Sequence, residues 1–227
     1  MTTGLAFDPI WESVYAEGFS QRWPWDAVVS FVFRNAPRDR PRNTVSIVEL
    51  GFGSGSNLWF AAREGFRVAG IDGSATAVAQ GKARLAAEGF EGDLRIGDFT
   101  QALPFADASF DLAIDRGALT CAGFTSVRAA IREVQRILRP GGAFLFCPYS
   151  TDHPAAGTGR ALGDGLACDF TLPGLAGLGA ISFWSEANVR DTLAEGWTIT
   201  MLSRLMTEDL IDPRLSRGEW YAVARKS

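Results

Sequence analysis

Four acidic residues stand where the sequence predicts that a buried strand ends. Apolar runs end in Glu49, Asp72 and Asp115, and Asp98 directly follows a fourth run. Carboxylates accept hydrogen bonds from hydroxyl and amino groups, and they repel phosphate. Because the carboxyl ends of parallel strands meet at one edge of a sheet, these residues predict a site there for a ligand that carries hydroxyl and amino groups.

A glycine-rich loop follows the first of these strands, in the stretch ELGFGSGSN. A strand, a tight glycine turn and a helix let the backbone approach a nucleotide-like ligand closely. The dinucleotide fingerprint requires glycine at its first, third and sixth positions, but here Gly55 is fifth and Ser56 is sixth. Glu49, two residues before Gly51, would also repel a pyrophosphate. The loop therefore favours a ligand without phosphate.

The composition is that of an ordinary globular chain. Its 227 residues, 47% hydrophobic and 21% charged, are enough for one sizeable core, so we expect a single domain. A formal net charge of −4 disfavours a nucleic-acid partner, and no apolar run approaches the roughly 20 residues of a membrane helix. Cys121, Cys147 and Cys168 have no C-x-x-C spacing, which predicts free thiols, no metal site and a cytoplasmic location.

From residue 44 onward, short apolar runs alternate with longer amphipathic segments, which is typical of βα units. Ser74 and Gly89 cap one of these helices, and Ser185 caps a later one. We expect an α/β fold, with a Rossmann-like, mostly parallel sheet of seven strands, helices on both faces and the last strand antiparallel. The predicted strands are 44–49, 67–72, 93–97, 110–115, 142–148, 197–205 and 219–225, and the helices are 56–64, 74–89, 125–138 and 185–195.

We divide the predicted domain, residues 1–227, into four regions. Residues 1–43 form an N-terminal helical lid of two short helices laid across the sheet, and residues 44–149 form the ligand-binding core. The glycine-rich residues 150–184 form a long insertion on the side where a second substrate, the acceptor, would bind. Residues 185–227 form a helix and an edge β-hairpin.

Four segments carry a resemblance to a known family. They are VELGFGSGSN, GIDGS, IGDFTQALPFADASFDLAID and VQRILRPGGAFLF, and they resemble, in order and spacing, the successive motifs of class I S-adenosylmethionine-dependent methyltransferases. The resemblance covers residues 44–149, and WYAVARK is similar to the last strand of that fold. It implies S-adenosylmethionine as cofactor, a ligand with a ribose, an adenine, a free amino group and no phosphate.

The resemblance also implies roles for individual residues. The three loop glycines would lie under the methionine and ribose moieties, Glu49 would organise the loop and Asp72 would bind the ribose. Asp98 and Phe99 would frame the adenine. The cofactor-binding candidates are Glu49, Gly51, Phe52, Gly53, Ser54, Gly55, Asn57, Asp72, Gly73, Asp98, Phe99, Asp115, Trp11, Tyr15 and Trp25.

Trp11, Tyr15 and Trp25 lie in the segment that resembles the lid of related small-molecule enzymes. Aromatic faces stabilise a desolvated cation by about 2 kcal/mol or more, which suits a sulfonium. The alternative is that these rings are ordinary packing residues of two short helices.

Three residues near the carboxyl ends of the fourth and fifth strands are the catalytic candidates. Asp115 is placed to touch the methionine moiety or the acceptor, and Arg116 to hold an acidic substrate group, unless the two form ordinary ion pairs. His153 is either a general base or a solvated loop histidine. Cys121 and Cys147 follow neighbouring strands, so a thiolate site of the arsenite-methylating kind is a further alternative to buried thiols.

The sequence thus predicts methyl transfer to a small-molecule acceptor by in-line displacement. A catalytically idle, cofactor-binding member of the fold is an alternative, because such displacement requires no particular catalytic residue. A nicotinamide-dependent oxidoreductase is a weaker one, since the sixth-position glycine is missing. Oligomeric state and the acceptor atom are open at this point.

Overall fold

The computed structural model describes residues 8–227 and contains a central sheet of seven strands. Its order is β3-β2-β1-β4-β5-β10-β9, with β1 to β5 parallel and β10 antiparallel to both of its neighbours. The expected Rossmann-like sheet is therefore confirmed. The strands of the described residues are β1 Ser46–Leu50, β2 Arg67–Asp72, β3 Asp93–Ile96, β4 Phe110–Asp115, β5 Leu138–Phe146, β6 Arg160–Gly163, β7 Leu166–Cys168, β8 Ile181–Ser182, β9 Trp197–Thr207 and β10 Arg217–Lys226.

Helices cover both faces of this sheet. The helices of the described residues are α1 Ile10–Ala16, α2 Asp26–Asn35, α3 Ser56–Arg63, α4 Ala75–Ala86, α5 Phe124–Ile137 and α6 Glu186–Thr192. Successive strand residues point to opposite faces, so Ile47 packs with α2, α3 and α4, whereas Val48 packs with α5 and α6. Ser74 and Ser185 accept backbone hydrogen bonds at the starts of α4 and α6, as predicted. Within residues 8–227, none of the helices has the length and apolarity that crossing a membrane requires.

The two N-terminal helices differ from each other. Val28, Phe31 and Val32 of α2 are buried in the core, so this helix lies on the sheet as expected. Helix α1 has no buried residue and lies against α4 at the carboxyl edge of the sheet, rather than on a face of the sheet like α2. The reason is that Glu12 and the Tyr15 carbonyl accept hydrogen bonds from α4 and its cap, which ties α1 to that helix.

Residues 150–184 contain a small second sheet that the sequence analysis did not predict. Strands β6, β7 and β8 pair antiparallel over a core of their own, which includes Phe170 and Ile181. The turn between β6 and β7 has Asp164 at φ 50° and Gly165 at φ 78°, the left-handed pair that a two-residue hairpin needs. Strands of two to four residues are too short for their alternation to be detected, but this Asp-Gly pair was a usable signal.

Candidate cofactor and acceptor site

Two buried carboxylates lie at the carboxyl edge of the sheet, at the ends of two neighbouring strands. Glu49 and Asp115 are at the ends of the paired strands β1 and β4, where Leu50 is in register with Asp115. Asn57 Nδ2 donates to Glu49 Oε1 at 2.6 Å, and the Leu119 backbone N–H donates to Asp115 Oδ1 at 2.8 Å. The second oxygens, Glu49 Oε2 and Asp115 Oδ2, are buried without a hydrogen-bond partner among the described residues. Buried polar atoms are rarely left so, which points to a donor supplied by a ligand.

The burial of these carboxylates changes their acidity. Desolvation raises the pKa of Glu49 to about 8, although the hydrogen bond from Asn57 opposes it. Desolvation likewise raises the pKa of Asp115 to about 6, against the opposing effect of the Leu119, Cys147 and Ala118 backbone N–H groups. A positively charged group at this edge would favour the ionised form of both. The pair is therefore suited to an ammonium.

Asp72 connects the glycine loop to the next βα unit. Its Oδ2 accepts from the Gly53 N–H at 2.8 Å, and its Oδ1 accepts from the Ser74 N–H at 2.9 Å. Each carboxylate oxygen has a second lone pair, so both can still accept a hydroxyl. Asp72 thus fixes the shape of the loop while keeping the capacity to bind the two hydroxyls of a ribose.

Gly51 and Gly53 form a cradle that no other residue can form. Their φ angles are 60° and 57°, in the left-handed region. A Cβ at Gly51 would be 2.2 Å from the Ala118 Cβ and 3.4 Å from the Phe99 ring, and one at Gly53 would be 2.4 Å from the Tyr15 hydroxyl. The backbone of this loop is therefore held directly against the groups that line the site.

Other loop residues have contacts away from the cradle. The Phe52 ring lies in the core against the backbone of Gly81, and Gly55 allows that same glycine to approach the start of α3. The Ser54 hydroxyl bonds the Gln21 backbone, its N–H at 3.1 Å and its carbonyl at 3.2 Å. Phe52 and Gly55 therefore pack against α4 beneath the loop, and a contact of either residue with a cofactor stays a prediction.

The third strand brings Asp98 and Phe99 to the same edge. Asp98 Oδ1 accepts from the Thr100 N–H at 2.8 Å and from its hydroxyl at 2.7 Å, which fixes the carboxylate. Phe99 is buried beside Gly51. Gly73 is half-buried in the turn that leads from β2 into α4. The structure therefore brings the predicted adenine-side residues next to the glycine loop.

Helix α1 covers the loop. Glu12 accepts from the Ser74 hydroxyl at 2.6 Å and from the Thr76 backbone N–H at 3.3 Å, and Gln80 donates to the Tyr15 carbonyl at 3.2 Å. These bonds bring the Tyr15 ring over Gly53. The Trp11 side chain lies near the thiol of Cys121, beyond the end of β4. Both predicted aromatic residues of α1 therefore lie at the site.

Arg116 forms an ion pair within the protein, which is the alternative that the sequence analysis left open for it. Its Nη1 is 2.8 Å from Glu219 Oε2 and its Nη2 donates to Oε1 at 3.2 Å, with side chains only 8% and 12% exposed. Its guanidinium carbon lies 4.0 Å from the centroid of the Trp25 ring. Glu219 therefore supplies the acidic group that the sequence analysis expected from a substrate. Arg116 also covers one face of Trp25, so that face is not available to a sulfonium.

His153 is a buried histidine rather than a solvated one. It is 7% exposed, its ring lies 5.0 Å from that of Tyr149, and its Nδ1 accepts from the Ala155 N–H at 3.1 Å. Desolvation, with a smaller effect of Arg217, lowers its pKa to about 4. The imidazole is neutral near pH 7 with its proton on Nε2, because Nδ1 is the acceptor. The prediction of a solvated loop histidine is therefore wrong, and the general-base role stays a prediction that this environment does not favour.

The thiols are not activated. Burial raises the pKa of Cys121 to about 12 and that of Cys147 well above its ordinary value. Thiolate chemistry needs a lowered pKa, so the alternative of a reactive thiolate pair is contradicted.

Sequence reasoning missed two residues of this site. Glu12 anchors α1 and Glu219 holds Arg116, 103 residues away along the chain. Nothing in the local sequence marks Glu12. Glu219 did leave a signal, because it is a lone charge within the apolar strand GEWYAVA.

The residues of this edge fit S-adenosylmethionine. Two partnerless carboxylate oxygens match its ammonium, Asp72 matches its ribose, and the glycine cradle matches a ligand without phosphate. A seven-stranded sheet of this order with such a site defines the class I methyltransferase fold.

Comparisons with known proteins agree with this description of the fold and the site. Residues 47–142 match the family model described as a methyltransferase domain. The chain is 38% identical over 112 residues to the ubiquinone/menaquinone biosynthesis C-methyltransferase UbiE of Rubrivivax gelatinosus, a match that covers 49% of this chain and 42% of that protein. It is 34% identical over 107 residues to the malonyl-[acyl-carrier protein] O-methyltransferase of Erwinia pyrifoliae, covering 47% and 38%.

Solved structures match over more of the chain. A S-adenosylmethionine-dependent methyltransferase of Methanosarcina mazei superposes with a TM-score of 0.71 at 17% identity, over 90% of this chain and 98% of that one. At this identity the likeness concerns the fold. Residues 47–142 thus form a methyltransferase domain of the class I, S-adenosylmethionine-dependent type, which confirms the resemblance. The matched segments span less than half the length of the two curated relatives.

Proposed function

We propose that the protein transfers the methyl group of S-adenosylmethionine to a small-molecule acceptor. The observation that carries the proposal is the pair of buried carboxylates, Glu49 and Asp115, each with one oxygen that has no partner among the described residues. They lie at the carboxyl ends of the paired strands β1 and β4, and an ammonium is a donor that such carboxylates bind well.

In this proposal the residues of the site bind the cofactor or fix its position. Glu49 and Asp115 hold the ammonium, Asp72 accepts the ribose hydroxyls, and Asp98 with Phe99 frames the adenine. S-adenosylmethionine, when bound, would supply a methyl group on a sulfonium sulfur, with the neutral thioether S-adenosylhomocysteine as a good leaving group.

Helix α1 has the role of excluding water in this proposal. Tyr15 covers the loop, and Trp11 reaches the end of β4. In-line displacement depends mainly on positioning and exclusion of water, so this set of residues is sufficient for it.

The residues near the carboxyl ends of β4 and β5, where the acceptor would bind, support the proposal of a small-molecule acceptor. Trp25, Tyr149 and Phe183 contribute aromatic rings near the ends of β4 and β5, and Arg116 is already paired with Glu219. Neither His153 nor the cysteines are poised as a base, so we propose an acceptor that needs no enzymatic deprotonation at these groups. The named relatives include a C- and an O-methyltransferase, which is compatible with a range of acceptor atoms. The acidic net charge disfavours nucleic acid, and the three free cysteines support a cytoplasmic location.

The test is transfer of a radiolabelled methyl group from S-adenosylmethionine into a fractionated cell extract. We expect label in the small-molecule fraction, with formation of S-adenosylhomocysteine. An Asp115→Asn variant should lose both. Label confined to nucleic acid or protein would contradict the acceptor class. Cofactor binding with no transfer into any fraction would favour the catalytically idle alternative.

A further inference from the structure

Five arginines line a cleft at the edge of the sheet opposite the cofactor site. The cleft has a volume of about 740 Å³. It lies between the end of α2, the starts of β4 and β5, and the end of β10. The charged residues that line it are Arg34, Arg38, Asp39, Arg40, Asp111, Arg139 and Arg225.

Asp111 anchors two of these arginines. It is buried, accepts from Arg139 Nη1 at 2.6 Å and from the Ser46 N–H at 2.8 Å, and is also paired with Arg40. With its oxygens occupied in this way, Asp111 holds two guanidinium groups at the cleft. Each of them uses one nitrogen for Asp111, and a guanidinium has five N–H donors.

The other three arginines have no carboxylate partner among residues 8–227. Arg225 donates to the Gly141 carbonyl at 3.0 Å and to Asn35 Oδ1 at 3.1 Å, which fixes it without neutralising it. Arg38 donates to the Phe33 carbonyl, and Arg34 is in no ion pair of the described residues. Five positive groups against two aspartates leave the cleft with a clear excess of positive charge, although the chain as a whole has a net charge of −4.

We propose that this cleft binds the polyphosphate group of a small molecule. Guanidinium groups bind phosphate oxygens in a bidentate way, and several arginines that line one cleft suit a group with several such oxygens. The volume of about 740 Å³ is within the range of roughly 300–1,000 Å³ for small-molecule sites. A cleft of this volume fits a compact, highly charged ligand. The site is separate from the cofactor site, because it lies at the amino ends of the parallel strands.

The experiment is calorimetric titration with pyrophosphate and tripolyphosphate, in the presence of saturating S-adenosylhomocysteine so that the cofactor site is filled. We expect both to bind the wild type, more weakly at high salt because the contacts are electrostatic. The double variant Arg34→Gln/Arg38→Gln should weaken binding about tenfold or more. Both arginines are exposed and neither is paired with Asp111, so the double substitution leaves the Asp111 ion pairs intact.

A matched control removes the same charge elsewhere. Arg132 and Arg190 are exposed on α5 and α6, and Arg132→Gln/Arg190→Gln should change the affinity less than about twofold. Absence of binding to the wild type, or an equal loss in the control, would overturn the proposal. Binding of S-adenosylhomocysteine should be the same in both double variants, so the outcome is independent of the cofactor site.

Discussion

Asn57 connects the carboxylate of Glu49 to the N-terminal segment. Its Nδ2 donates to Glu49 Oε1 at 2.6 Å, while its Oδ1 accepts from the Trp25 backbone N–H at 3.0 Å. One amide therefore fixes both the carboxylate and the start of α2. As a result, the orientation of the partnerless Glu49 oxygen depends on how the N-terminal segment docks.

Glu49→Gln should stabilise the free protein and weaken cofactor binding. The folded-state pKa of Glu49 is raised to about 8, so its burial costs nothing below the unfolded pKa and the full amount above about pH 8. We expect the gain in free energy of unfolding to be larger at pH 9 than at pH 5, measured by urea denaturation. Loss of a hydrogen bond to a charged group, about 1.5–3 kcal/mol, should raise the Kd for S-adenosylhomocysteine about ten- to a hundredfold.

The control for this prediction is Glu91→Gln, which removes the same charge from an exposed residue. Glu91→Gln should leave both the free energy of unfolding and the Kd for S-adenosylhomocysteine unchanged. Unaltered affinity in a folded Glu49→Gln variant would remove Glu49 from the binding site.

Arg116→Met should destabilise the protein by about 3–5 kcal/mol, because it leaves Glu219 buried without its partner. A second change, Glu219→Gln, should recover most of that loss, since the neutral amide no longer needs a counter-charge. Chemical denaturation of the wild type and the single and double variants measures both effects. A loss below about 1 kcal/mol, or no recovery, would mean that the pair is not buried as described.

His153 should titrate far below an ordinary histidine. Because the chain has a single histidine, its imidazole signals in a ¹⁵N NMR experiment need no assignment. We expect a pKa of about 4 and the Nε2–H tautomer. The folded pKa is lowered, so this residue's contribution to stability is complete above about pH 6.5 and is lost as the pH falls toward 4. A pKa near 6.5 would show a solvated ring and restore His153 as a candidate base.

Glu12→Gln should loosen helix α1 over the site. The variant weakens the bonds from Ser74 and Thr76 that anchor the helix. Since a typical hydrogen bond contributes about 0.5–1.5 kcal/mol, the dissociation rate of S-adenosylhomocysteine should increase about two- to tenfold in stopped-flow measurements. Glu17→Gln, just beyond the same helix, is the matched control. Equal rates in wild type and Glu12→Gln would show that α1 does not cover the bound ligand.

The sequence predicted what depends on local pattern. The strand and helix order, the caps at Ser74 and Ser185, and the acidic strand ends follow from periodicity and from residues close in the chain. The contacts it could not predict join distant segments, such as Glu12 with Ser74 and Arg116 with Glu219. His153 belongs to the same group, because its burial depends on the packing of the 150–184 insertion.

Calorimetric titration of the wild-type protein with S-adenosylmethionine, S-adenosylhomocysteine and NAD is the most direct test of the account. Glu49, Asp72 and Asp115 predict that the first two bind to one site and compete with each other, and that NAD does not bind, because its pyrophosphate would meet these carboxylates. Binding of NAD without binding of either sulfur ligand would contradict the assignment of this edge of the sheet.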